Sequence, residues 1–371
     1  MMPAAQIRIK RDLARPDSPK GIYGVRFKRQ LTVSARQTSI ARFGLTRREI
    51  IVRTTEPYKR IVVRPMSGAL GAEIEGVDFS RPLDAEQLKE VRRAWHENLV
   101  VFFRGQKMTP QSLETAVAQF GKPSITYYVP PMEGTRYVTQ LLRLAETTGG
   151  RNYGDRWHMD QTTRERPNAG FLLYNADCPP YGGDTMFTNL YLAYEMLSDG
   201  LKAVCDRLIV IHTAAGLYGK GGQGGGEGSK PMMKQGSKNS FSITPEQMQE
   251  LLNREVEHPL VRIHPETGRK TLYLAGAYCV RFKGMTEEES KPLIDYLQSH
   301  LSRPEFTCRF RWSQGAMAMV DNRCLQHVAL NDYAGFRREM LRVEIDDVER
   351  PYGPAMPRAA AASKTGAPVA A

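Results

Sequence analysis

The sequence predicts a mainly β protein with helical insertions, of the β-sandwich or jelly-roll kind. Three observations carry that prediction. Many apolar runs are of strand length, the clearest helices stand before or between them, and no strict strand–helix–strand alternation runs through the chain. A doubly wound parallel sheet would need that alternation. The 371 residues are 41% hydrophobic and 25% charged, which suits a globular chain with ample core. The longest apolar runs, such as the one at 99–103, are far too short to span a bilayer.

Charge divides the chain before any element is placed. Residues 1–60 hold fifteen Lys and Arg against four acids, a net of +11, whereas the other 311 residues carry thirty-seven basic and thirty-six acidic groups, a net of +1. The basic arm reads as solvated and poorly ordered. It lacks the apolar stretch of a secretory signal, faintly resembles a mitochondrial transit peptide, and fits an extended start of the reading frame equally well. Nucleic acid is an improbable partner, because the arm has little aromatic interleaving and no recognisable module. The main domain is expected over 61–357, followed by an Ala-rich loose tail over 358–371.

Within the domain, Asp84 caps a helix with Gln87 as its reciprocal partner, and Leu88, Val91 and Trp95 fall on one face. That helix runs into a buried strand at 99–103. Thr109-Pro110 opens a second helix, with Leu113, Ala116, Val117 and Phe120 inward and Gly121 as its stop. Thr244-Pro245 and Thr286, the latter followed by three glutamates, open two more. Strand-length runs lie at 170–174, 208–212, 260–263, 271–274, 306–312, 316–320 and 338–345.

Two features invite misreading. Gly219-Lys220-Gly221-Gly222-Gln223-Gly224 matches GxGxxG, but the glycines continue to Gly228 and meet Ser229-Lys230-Pro231, so 219–230 reads as a mobile loop and not a nucleotide fingerprint. The five cysteines are widely spaced with no CxxC, which points to free thiols in a reducing compartment. Five further histidines (His96, His212, His258, His264, His300) read as helix-end, turn or core residues.

The chemistry concentrates at Trp157-His158-Met159-Asp160. In extended backbone i and i+2 point to one side, so imidazole and carboxylate can reach one ion. A second histidine from a distant strand would complete a 2-His-1-carboxylate face on Fe(II), leaving three positions for a chelating cosubstrate and dioxygen. Alone the motif is weak: about 0.4 chance occurrences of His-x-Asp are expected in such a chain. Four features accompany it. Pro179-Pro180-Tyr181-Gly182-Gly183-Asp184-Thr185 is a tight turn delivering a hydroxyl onto a following strand. His327 follows Asp321-Asn322-Arg323, and Arg338 and Arg342 share a face of one strand. Two arginines on the inner face of a core strand need anions; the bland alternative is an exposed, solvated face.

From about 62 to 352 the chain resembles the iron(II)/2-oxoglutarate dioxygenases of the taurine and 2,4-dichlorophenoxyacetate dioxygenase family. The resemblance rests on Leu70-Gly71-Ala72-Glu73-Ile74 with Gly76-Val77-Asp78, on Phe103-Arg104-Gly105-Gln106, and on the segments around His158, Thr185 and His327. His264-Pro265-Glu266-Thr267-Gly268, Arg338 and Arg342 complete it. It implies a double-stranded β-helix with Fe(II) on His158, Asp160 and His327, the distal carboxylate of 2-oxoglutarate on Thr185 and Arg338, and an anionic substrate group near Arg342. It further implies that dioxygen is consumed, that succinate and CO2 leave, and that a small organic acid is hydroxylated. If the hydroxylated carbon bears a sulfate ester, sulfonate or ether, cleavage follows.

Departures from the taurine pattern narrow the substrate. Thr126, Val129 and Gly154 stand where taurine enzymes carry the His, Tyr and Asn of their substrate site. Taurine is therefore disfavoured, and the body of the substrate is expected to be mainly apolar, with Tyr127 and Tyr128 hinting at a larger partner. Val320 replaces the family's usual Trp before Asp-Asn-Arg. A cytoplasmic homo-oligomer (dimer or tetramer) without membrane contact is expected. The competing reading is a basic-armed nucleic-acid or acidic-partner binding protein on a degenerate oxygenase scaffold.

Overall fold

The structure, a computed structural model, describes residues 56–126, 129–146, 154–215 and 245–358. The expectations for most of the basic arm, the 219–230 loop, Tyr127, Tyr128, Thr244 and the tail beyond Arg358 lie outside those residues. The chain opens with strands β1 (Val62–Pro65) and β2 (Ala72–Glu75), helix α1 (Ala85–Asn98), strand β3 (Val100–Phe103) and helix α2 (Pro110–Ala118). Then come β4 (Pro123–Ser124), β5 (Thr139–Arg143), β6 (Gly170–Asp177), β7 (Thr185–Asn189), α3 (Leu190–Glu195), α4 (Asp199–Cys205) and β8 (Ile209–Thr213). The last third holds α5 (Pro245–Asn253), β9 (Glu255–Pro259), β10 (Val261–Ile263), β11 (Lys270–Leu272), β12 (Cys279–Phe282) and α6 (Glu287–Leu301). It ends with β13 (Thr307–Phe310), β14 (Met317–Asp321), β15 (Leu325–Ala329) and β16 (Arg338–Ile345).

An eight-stranded sheet runs β1-β2-β3-β14-β6-β16-β4, with β5 also paired to β16, and a three-stranded sheet runs β13-β7-β15. Strand alternation explains how one sheet serves two cores. On β3, Val100 and Phe102 join the core shared with the small sheet, while Val101 and Phe103 join the core under the helices. Phe102 stacks on Phe310 of β13 at 3.9 Å between ring centroids, and Phe103 meets Phe79 edge-on at 4.9 Å. Val91, Ala94 and Trp95 of α1 and Leu113, Ala116 and Val117 of α2 close the outer face. The inner face, toward β13-β7-β15, is the one that carries the arginines of β16.

The helix starts follow their caps. The Asp84 carboxylate accepts from the Gln87 N–H at 2.9 Å, but the Gln87 side chain does not return to Asp84. It donates instead to the Gly76 carbonyl at 3.1 Å, tying α1 to the β1–β2 hairpin. Thr109 and Ser112 cap α2 reciprocally, as Thr286 and Glu289 do for α6. At the start of the domain the Glu90 carboxylate accepts from the N–H groups of Lys59, Arg60 and Ile61. β16 spans 338–345 as its pattern predicts. The short strands β4, β5, β9 and β12 and the short helices α3 and α4 carry too little periodicity to be placed from pattern alone, whereas β7 follows the 179–185 turn as expected. His258 lies in β9, not in a turn. All five cysteines are free. Among the described residues no helix is long and apolar enough to cross a membrane.

Candidate metal and cosubstrate site

His158 and His327 are brought together by backbone pairing. His158 N–H donates to the His327 carbonyl at 3.1 Å and His327 N–H returns to the His158 carbonyl at 3.0 Å, an isolated antiparallel bridge between the 154–160 segment and β15. Ala329 N–H donates to Gly154 O at 2.8 Å and extends the pairing. Gly154 has φ +75°, and a Cβ there would stand 2.9 Å from His158 Cε1. A glycine at 154 thus serves both the left-handed backbone and the imidazole beside it.

The side chains then converge. Asp160 Oδ1 lies 3.5 Å from His158 Nε2 and Oδ2 lies 3.8 Å from His327 Nε2. One ligand atom from each of the three falls within 4.8 Å of the others, the spread expected of donors about 2.0–2.2 Å from a shared ion. The His158 Nδ1–H donates to the Arg156 carbonyl at 2.7 Å, which leaves the Nε2 lone pair facing Asp160. Burial, aided by the neighbouring His158, pushes His327 down to about 3, so its imidazole is a neutral donor at physiological pH. Burial acts to raise the Asp160 pKa, but the neighbouring positive charge, above all that of Arg342, outweighs it and keeps the carboxylate ionised. Two neutral nitrogens and one anionic oxygen are the donor set of a non-haem Fe(II) face.

The two arginines of β16 differ. Arg342 Nη2 is 3.0 Å from Asp160 Oδ2 and also bonds the buried Glu344 carboxylate, with the guanidinium over the Phe171 ring at 4.5 Å. Glu344 is itself held by the Thr126 hydroxyl at 2.8 Å and by the Gln161 amide. The sequence expectation leaves the Arg342 charge open to a substrate anion; the structure supplies Asp160 and Glu344 as its anions, because a buried guanidinium needs them. Among the described residues no carboxylate forms an ion pair with Arg338. Its Nε lacks a hydrogen-bond acceptor, its guanidinium sits 5.7 Å from the Tyr333 ring, and burial lowers its pKa.

Thr185 begins β7, where it pairs with Ala329, and its hydroxyl accepts from Trp312 Nε1 at 3.0 Å. The turn before it runs against Arg338: a Cβ on Gly183, at φ +67°, would stand 3.2 Å from Arg338 Nε. Gly183 N–H donates to Asp332 at 2.7 Å and holds that turn in place. A hydroxyl, and a guanidinium with no carboxylate partner among the described residues, are the groups a carboxylate requires.

A second buried group, His264, Asp321 and Cys324, has ligand-like spacing but no ligand chemistry. Asp321 accepts from Arg323 at 2.9 and 2.7 Å and from His264 at 3.0 Å, so its oxygens are already engaged. Asn322, Glu344, Gln161, Trp312 and Tyr333 escape the sequence reading. Only Glu344 leaves a signal there, being two residues beyond Arg342 on the same strand face.

The comparisons agree with this geometry. The family model described as taurine catabolism dioxygenase TauD, TfdA family matches residues 62–343. An alkylsulfatase of Acinetobacter baylyi is 32% identical over 78% of this chain and 86% of its own length. An alpha-ketoglutarate-dependent sulfate ester dioxygenase of Pseudomonas putida is 34% identical over 76% of this chain and 88% of its own. The crystal structure of a taurine dioxygenase from Burkholderia xenovorans superposes with a TM-score of 0.65 at 34% identity, covering 80% of this chain and 94% of that one. The double-stranded β-helix expected from the resemblance is therefore the fold observed. The chain belongs to the TauD/TfdA family of dioxygenases and is an oxidoreductase dependent on Fe(II), 2-oxoglutarate and dioxygen.

Proposed function

We propose that His158, Asp160 and His327 hold the iron, that Arg338 and Thr185 take the distal carboxylate of 2-oxoglutarate, and that the substrate is a small organic anion with an apolar body, a sulfate ester first. The observation that carries the reading is the contrast of partners. Three ligand atoms lie within 4.8 Å of one another, and the half-buried Arg338 faces the Thr185 turn with no carboxylate of its own among the described residues.

Each residue has a definable task. His158 and His327 would present imidazole nitrogens, Asp160 would supply the single anionic ligand, and Arg342 steadies the Oδ2 of that carboxylate. The guanidinium of Arg338 and the hydroxyl of Thr185 orient the cosubstrate end-on, and the apolar walls of Phe171 and Phe187 exclude water on the inner face of the sandwich. With iron and 2-oxoglutarate bound, dioxygen would be the oxidant: one of its atoms would pass to 2-oxoglutarate, which leaves as succinate and CO2, and the other to the substrate, whose C–H becomes C–OH. Where that carbon carries a sulfate ester oxygen, the hydroxylated product collapses to a carbonyl compound and sulfate.

The names of the two curated relatives favour a sulfate ester as the first substrate to try, while Thr126 in place of a histidine counts against taurine. We propose Arg342 as the pocket-side cation nearest the substrate anion, held meanwhile by Asp160 and Glu344. The test is anaerobic loading with Fe(II) and 2-oxoglutarate, then oxygen, with succinate and released sulfate measured across linear alkyl sulfates, alkyl sulfonates and aryloxyalkanoates. Sulfate release in step with succinate from an alkyl sulfate is the expected result. Coupled turnover of a sulfonate or aryloxyalkanoate with none of the sulfate esters would overturn the substrate assignment, and no succinate under any condition would overturn the activity.

A further inference from the structure

We propose that Asn322 is the positioning residue for the metal ligand Asp160, gripping that residue's backbone on both sides so that its carboxylate meets His158 and His327. The proposal rests on the metal reading above. Asn322 Oδ1 accepts from the Asp160 N–H at 2.8 Å, and Asn322 Nδ2 donates to the Asp160 carbonyl at 2.9 Å, across 162 residues of chain. The amide cannot be turned around. A backbone N–H only donates and a carbonyl only accepts, so these two partners fix which end of the side chain is which.

The grip is anchored on its other side. Asn322 Nδ2 also donates to Asn168 Oδ1 at 2.8 Å and to the Asn168 carbonyl at 3.2 Å, and the Asn322 N–H donates to Ala169 O at 3.0 Å. Asn168 in turn donates to Gly170 O at 3.2 Å, at the first residue of β6. Asn322 has no solvent exposure. It lies in the turn between β14 and β15, where the chain passes from the large sheet to the small one. The neighbouring Asp321 is locked by Arg323 and His264, and His327 follows on β15. One turn therefore delivers the distant histidine and the clamp on the carboxylate residue together.

The backbone just beyond Asp160 explains why the ligand needs such a clamp. Gln161 is in the left-handed region at φ +55°, unusual for a residue with a Cβ, so the chain reverses immediately after the ligand. Gln161 is held by Glu344 and by Arg164, which donates to its Oε1 at 2.6 Å. Asn322 holds the other side of the reversal. An asparagine required only for packing would have its hydrogen bonds satisfied anywhere in the surrounding frame. Here an N–H and a C=O of the ligand residue itself take two of them.

Only an amide of this length offers a planar acceptor and donor to both groups. Asn322→Asp keeps the acceptor and loses the donors; Asn322→Ala loses both. Partners that orient metal ligands typically account for about 10–100-fold in metal affinity, and that is the loss expected for either variant. The measurement is Co(II) and Mn(II) binding by the full-length apoprotein, with the visible Co(II) spectrum and the melting temperature without metal recorded alongside. Asp160→Ala is the control for the metal reading. Asn98→Ala is the control for stability, since Asn98 is also buried and its side-chain amide donates within α1, to Ala94 O, far from the ligand residues in sequence.

Weakened binding with an altered Co(II) spectrum in the Asn322 variants, against lower melting but unchanged affinity in Asn98→Ala, is the expected pattern. If folded Asn322 variants bind Co(II) with wild-type affinity and spectrum, the clamp is wrong and the metal reading stands. Wild type that binds no better than Asp160→Ala overturns both. Should the Asn322 variants fail to fold, Asn168→Ala removes the Oδ1 that anchors the Asn322 amide, together with the Asn168 bond to Gly170 O, and leaves Asn322 itself in place. It should weaken binding several-fold with the same spectral change, and unchanged binding would overturn the proposal.

Discussion

Arg338 and Arg342 stand on one face of β16, yet they end in opposite electrostatic states. Arg342 is closed: Asp160 and Glu344 are its anions, and Phe171 lies beneath it. Arg338 is open: it is half-buried beside Tyr333 and the Gly183 turn, and among the described residues no carboxylate pairs with it. A buried cation without an anion is costly, and a fold tolerates it where a ligand brings the missing charge. On the proposed reading, the open arginine is where the cosubstrate anion would bind, while the closed one steadies Asp160 and stands beside the substrate anion.

The largest expected effect breaks the open end. Arg338→Ala should raise the 2-oxoglutarate requirement by several hundred-fold or more, because a buried carboxylate left unpaired costs roughly 3–5 kcal/mol. The apoprotein should melt no lower than wild type, since the change removes a desolvated charge. Cosubstrate binding followed by calorimetry, with melting measured in parallel, checks both halves. Unchanged affinity removes Arg338 from the role.

The closed end should respond the other way. Arg342→Met leaves Glu344 and Asp160 without their cation and should destabilise the apoprotein by up to about 3 kcal/mol, less than a full buried-pair loss because Glu344 can take up a proton. Burial already raises the Glu344 pKa, and that rise should grow once the guanidinium is gone. Denaturant unfolding of the two arginine variants side by side is the measurement. Equal stability losses at 338 and 342 would erase the distinction between them.

How much of this was legible in the sequence depends on the range of the contact. His158 and Asp160 are two residues apart in extended backbone, so their convergence follows from strand geometry. The inner and outer faces of β3 and β16 follow from the same alternation. His327, Thr185 and Arg338 came from the resemblance, not from spacing. The Asn322 grip on Asp160 left no trace because it joins a turn to a loop 162 residues away, and no periodicity encodes such a contact. Glu344 was legible and overlooked: any strand that buries Arg342 also buries the residue two further on. The partner of Gln87 shows a local rule overridden, since a carbonyl in a neighbouring hairpin competed for the amide.

A smaller effect sharpens the open end. Thr185→Val removes one hydroxyl that Arg338 is proposed to work beside and strands the Trp312 N–H that donates to it. The loss in 2-oxoglutarate affinity should be roughly 1–2 kcal/mol, about tenfold, with a stability cost of similar size from the unsatisfied indole. Thr185→Ser should restore most of both. An affinity unchanged by Val, with stability lowered, would assign the hydroxyl to Trp312 alone.

Arg323 is another buried arginine and carries the closed arrangement to the corner that bears Asn322, which makes it a test of how far paired charge supports the site. It bonds Asp321 and also Glu266 at 2.7 Å, and His96 Nε2 lies 3.2 Å from the same Glu266 carboxylate. Burial acts to raise the Glu266 pKa, but His96 and the Arg323 charge outweigh it and hold it at about 2, below the ordinary 4.5. A depressed carboxylate stabilises the fold above its unfolded pKa, and that contribution is lost as pH falls from about 4.5 through about 2. Glu266 keeps part of its surface in solvent, so screening should reduce the contribution to about 1 kcal/mol or less. Glu266→Gln should therefore melt slightly below wild type at neutral pH and converge with it near the acid end of that window. Melting temperatures of the two proteins across the window decide the matter: a gap of constant size would show that Glu266 does not titrate as Arg323's partner. The support of the turn would then fall to Asp321 and His264 alone.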